Sequence, residues 1–127
     1  MIFDFLFKKT LKHKVITADT RNKIVDDWRN VEMLLNQKSP SQLKQALIIA
    51  DRSLDNALKD IVDGNSMGER LKNAQNMFSY DVYNEIWEAH KVRNSLVHES
   101  GYEPPYFVVI QSVESLKKGL QSLGINL

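Results

Sequence analysis

The 127-residue chain contains no cysteine. That absence excludes disulfides, thiolate nucleophiles and cysteine-containing zinc sites, and it suits a reducing cytoplasm. Glycine and proline are scarce, at five and three, and 43% of the residues are apolar, which excludes a disordered or low-complexity chain and leaves a compact globular one. Neither sign of charge dominates: 17 Lys and Arg stand against 16 Asp and Glu. There is no global basic field of the kind that coats nucleic acid, so any such contact has to be local. No apolar run approaches the roughly 20 residues of a membrane span. The length suits one domain with a real core.

The first residues differ from the rest. Met1 to Phe7 is apolar apart from Asp4, and Lys8, Lys9, Lys12 and Lys14 follow. A secretory signal places its cations before a longer apolar run, so this is not one. Two readings stay open: Ile2, Phe3, Phe5, Leu6 and Phe7 dock on the bundle or on a second subunit, or they make weak contact with a membrane surface through residues 1–14. Docking is preferred, because so short an anchor binds lipid only marginally. Residues 1–18 are therefore set apart from a single helical domain over 19–127.

From Asp19 the apolar residues recur at steps of three and four. Ile24, Val25, Trp28, Val31, Leu34 and Leu35 make the first buried stripe. Ser39, Pro40 and Gln42 then supply an N-cap, a first-turn proline and the distal member of a capping box. The helix they open carries Leu43, Leu47, Ala50, Leu54, Ala57 or Leu58, and Ile61, and ends at Asp63-Gly64. Ser66 and Glu69 make a second box, which predicts a short helix from Met67 to about Met77 with Leu71, Ala74 and Phe78 inward. Ser79 or Asp81 caps the next helix, in which Val82, Ile86, Ala89, Val92 and Leu96 face the core. Pro104 and Pro105 open the last, with Val109, Val113, Leu116, Leu120 and Leu123 inward and Gly124 as its stop. No segment alternates with a strand's period. The fold expected is all-α, an antiparallel bundle of four to five helices.

Chemistry concentrates at the end of the fourth helix, in Arg93, Asn94 and His98 of the run RNSLVH. At about 100° per residue, Asn94 and His98 share a face while Arg93 lies about 140° from His98. One straight helix does not aim all three at one atom, whereas two facing copies can, and a homodimer is expected on that ground. A dipole at a helix C-terminus favours Arg and His whatever their use, so each residue also has a purely structural reading.

The run RNSLVH, with IWEAHKV before it and Glu99 after it, resembles the Arg, polar residue, three variable residues, His signature of the HEPN superfamily. Its position, on the penultimate long helix of an all-helical chain, is also similar. The resemblance spans roughly residues 20 to 124 by helix order, with the motif as its only sharp part. It implies a metal-independent endoribonuclease that cleaves single-stranded RNA at a composite dimer-interface site, with Arg93, Asn94 and His98 as catalytic residues and no metal or cofactor. The chemistry fits. RNA brings its own nucleophile, the 2′-hydroxyl; an imidazole takes its proton, and a guanidinium presents parallel donors to the phosphoryl oxygens. The products are a 2′,3′-cyclic phosphate and a 5′-hydroxyl.

Nearby residues are candidates for substrate binding. His90 lies one turn before Asn94 and extends a polar column; a metal site of His90, His98 and Glu99 is disfavoured because the spacing matches no ligand pattern. Lys91 adds local positive charge. Trp87 is either a base-stacking platform or core, and Trp28 reads as packing. Tyr80, Tyr83, Tyr102 and Tyr106 surround the motif helix. One branch of toxin-like HEPN proteins has a modifiable Tyr two residues after the His, a position held here by Ser100. Other branches are non-catalytic interaction or dimerisation modules, the alternative expected for this chain, with a protein as partner.

Overall fold

The structure is a computed structural model that describes residues 15–127, so the expectations for Met1 to Lys14 lie outside the described residues. Five α-helices are present among them: α1 (Ala18–Gln37), α2 (Pro40–Ile61), α3 (Met67–Asn73), α4 (Tyr80–His98) and α5 (Tyr106–Ser122), with a 3-10 turn at Gln75–Met77. No described residue is in a strand. None of these helices is long and apolar enough to cross a membrane.

The caps explain the boundaries. Thr17 Oγ1 accepts from the Thr20 amide, Ser66 Oγ from Glu69 and Ser79 Oγ from Val82, each satisfying an amide that the helix itself leaves unpaired. Ser39 caps α2 through the Gln42 amide, and its hydroxyl also donates to Gln42 Oε1 at 2.6 Å. The Glu69 side chain reaches back one residue further than a capping box requires, to the Asn65 amide. The third helix is shorter than its sequence predicts. It ends at Asn73, with Ala74 outside the α region at φ −100°, ψ 8°, and a 3-10 turn completes the segment. The inward set still holds: Leu71, Ala74 and Phe78 are buried.

α2 is the centre of the bundle. Leu47, Ala50, Leu54, Ala57 and Leu58 have no exposed surface, and fully burying one such leucine is worth about 1.5–3 kcal/mol. α1 runs antiparallel to α2, with Trp28 Nε1 donating to buried Ser53 Oγ at 2.9 Å; Trp28 is therefore core. On the far side α4 and α5 pack together and against α2. Gly119 allows that close approach, since a Cβ there would stand 2.8 Å from Ile86 Cδ1 and 3.4 Å from Leu54 Cδ2. Ile16 also enters the core.

Candidate functional site

Ile86, Ala89 and Leu96 set the buried face of α4. Turning from that face toward α2 brings His90, Arg93 and Asn94 to the seam between the two helices, each half-buried. Opposite them stands Asp51, only 2% exposed. His90 Nδ1 lies 3.0 and 3.1 Å from its two carboxylate oxygens. A carboxylate only accepts, so the imidazole donates from Nδ1, and in the neutral ring Nε2 is the acceptor. Asn94 Nδ2 donates to Nε2 at 3.4 Å, and Asn94 Oδ1 accepts from Arg93 Nη1 at 2.9 Å. Arg93 Nε then stands 3.6 Å from Asp51 Oδ2, an ion-pair distance too long for a hydrogen bond. Four side chains thus close into a ring that includes the buried carboxylate of Asp51.

Arg93 is held without being saturated. Among the described residues its one hydrogen bond is to Asn94, and its buried Nε has no acceptor. A guanidinium has five N–H donors, and the Arg93 side chain keeps 29% of its surface exposed. One turn further along α2, Asp55 makes the opposite kind of pair. It accepts from Arg70 Nε and Nη2 at 2.7 and 2.9 Å, while Arg70 Nη1 donates to the Gly64 carbonyl at 2.7 Å. The hydrogen bonds to Asp55, opposed by burial, hold the Arg70 guanidinium above its ordinary pKa. Arg70 is a clamp on the turn between α2 and α3.

The ring forms one wall of a groove of about 520 Å³ that Trp87, Lys91 and Arg52 also line. Trp87 stands edge-on to His90, with ring centroids 6.2 Å apart, and Tyr83 stands edge-on to Trp87 at 6.3 Å. Trp87 is half-buried, with part of its surface in the groove. Lys91 pairs with Glu88 at 3.3 Å on the exposed surface. The polar column through His90 and Asn94 is present.

It does not extend to His98. The sequence places Asn94 and His98 on one face, but the two open into different grooves. The reason lies in the antiparallel crossing: His90 is level with Asp51, whereas His98, the last residue of α4, is level with the start of α2. There it is exposed and lines a larger groove, about 790 Å³, with Lys38, Lys44, Tyr102 and Tyr106. It makes no hydrogen bond among the described residues. Val97, Tyr102, Tyr106 and Phe107 are exposed at the same end, and Tyr80 is exposed at the start of α4. Because His98 and Glu99 sit in this second groove, they do not converge with His90 on a metal. No group of three or more potential metal ligands occurs among the described residues.

Asp51 is the residue that motif reading missed. Its signal is an acidic residue four positions after Leu47 and three before Leu54, within the apolar stripe of α2. Comparison of the chain with protein families, characterised proteins and solved structures finds no match.

Proposed function

We propose that this chain is a HEPN-like endoribonuclease, cytoplasmic and active as a homodimer, that cleaves single-stranded RNA without a metal. The observation that carries this reading is the state of Arg93: oriented by Asn94 and Asp51, yet with most of its donors unbound and partly open to a groove. A cation fixed before substrate arrives stabilises charge on phosphoryl oxygens without the cost of reorganising. His98, without a hydrogen bond among the described residues, moves a proton in the reaction. Because Arg93 and His98 of one chain open into different grooves, the complete site combines one protomer's Arg93 groove with the second protomer's His98.

The test is cleavage of labelled single-stranded RNA and of pooled cellular RNA in excess EDTA by the wild type and by His98→Ala. Cleavage by the wild type alone, with 2′,3′-cyclic phosphate ends, is expected. Equal cleavage by both proteins removes His98 from the reaction, and loss of cleavage in EDTA with recovery on adding a divalent ion overturns the metal-free mechanism.

A second reading, a non-catalytic HEPN-like interaction module, is favoured by one observation: the larger groove is flanked by exposed Val97, Tyr102, Tyr106 and Phe107. An intact, folded wild type that cleaves neither RNA, together with a partner protein whose binding is lost in Phe107→Asp, would establish that reading instead.

A further inference from the structure

We infer that His90, oriented by Asp51, is a catalytic residue of this site: the base that takes the proton of the 2′-hydroxyl, which leaves His98 as the acid. The inference rests on the ribonuclease reading above. Cleavage by transesterification moves two protons. One leaves the 2′-oxygen as that oxygen bonds to phosphorus, and one is gained by the 5′-oxygen as its bond to phosphorus breaks. The entering and leaving oxygens lie roughly in line on opposite sides of phosphorus, so a single imidazole does not serve both, and the motif supplies only one per protomer. The chain has three histidines; of these His90 and His98 lie among the described residues.

The geometry at His90 is that of a base. Asp51, buried and bonded through both oxygens to Nδ1, fixes the ring's orientation and tautomer, and the same carboxylate stabilises the imidazolium once Nε2 has taken a proton. In the neutral ring Nε2 accepts from Asn94. That bond is long, at 3.4 Å, and a substrate hydroxyl can replace it. Arg93 is beside it, bonded to the same amide. The charged groups that line the groove are Asp51, Arg52 and Asp55 of α2 and Lys91 and Arg93 of α4. His98 makes no hydrogen bond among the described residues that would fix its ring.

His90→Ala is expected to lower kcat by about 10²-fold or more with KM little changed, and added imidazole is expected to restore part of the loss. Asp51→Asn, a positioning variant that keeps the volume, is expected to lower kcat and to move the acidic limb of the pH profile to lower pH, because the imidazolium loses its carboxylate. Removing His98 is expected to abolish the alkaline limb instead. If folded His90→Ala cleaves within a few-fold of wild type, or if its loss is not relieved by imidazole and Asp51→Asn leaves the profile's shape unchanged, the pair is a structural crosslink. One readout does not depend on cleavage: ring nitrogen NMR of the wild type is expected to show His90 protonated at Nδ1 alone. An Nε2–H tautomer at His90 overturns the inference even in an active enzyme. A wild type that cleaves no RNA overturns the ribonuclease reading, and this inference with it.

Discussion

Asp51 and Asp55 sit one turn apart on α2, and each faces an arginine, but the two pairs are built differently. Arg70 places its fork on Asp55 and its remaining arm on Gly64, with contacts of 2.7 to 2.9 Å. Arg93 stands 3.6 Å from Asp51 and, among the described residues, bonds only Asn94. The lesson is that an arginine beside an aspartate is not one motif. A saturated fork holds backbone in place and has nothing left for a ligand, whereas an unsaturated one has donors to spare.

The comparison breaks first on activity. Arg93→Lys retains the charge but loses the planar fork, and RNA cleavage is expected to fall by about 10²–10³-fold; cleavage near the wild-type rate would make Arg93 a second clamp. Arg70→Met is expected to lose about 2–3 kcal/mol of stability, below the full cost of breaking a buried pair because both side chains retain some exposure, as read by denaturant unfolding. Cleavage per folded molecule should not change. The raised pKa of Arg70 means that its contribution is fully present below an arginine's ordinary pKa and fades only above it, so this loss is expected to be the same across the neutral range. Mixing folded Arg93→Ala and His98→Ala chains sharpens the contrast between the two grooves. If each site draws on both protomers, random exchange across a two-fold interface restores about a quarter of wild-type activity. Sites complete within one chain would restore none. The smallest effect is on His98 itself, where replacement by Ala is expected to change stability by no more than about 0.5 kcal/mol; a larger loss would show a structural role.

Much of the frame is legible in the sequence because it follows from local rules. Ser39-Pro40, Ser66 and Ser79 announce helix starts through amide capping, and steps of three and four announce the buried faces. The end of α3 is less so: Leu71, Ala74 and Phe78 keep their helical spacing through a segment that changes to a tighter turn, and spacing alone does not separate the two. The site is half legible. Arg93, Asn94 and His98 are a run in sequence, but their partner Asp51 is a long-range neighbour, 39 positions from His90. Finding it requires the register of two antiparallel helices, which neither helix specifies alone. That register also separates Asn94 from His98, which helical geometry by itself puts together.

The carboxylate of Asp51 also works as a key between α2 and α4. It meets His90 and Arg93, three positions apart, and a slip of α4 by one turn, about 5.4 Å, would leave a buried charge facing other side chains. Alignment of the helices and orientation of the His90 and Arg93 side chains are thus one set of contacts. Whatever reaction the chain carries out, a descendant is free to change His98 at the solvent-exposed helix end, but is held to Asp51, His90 and Arg93 by the need to keep its helices in step.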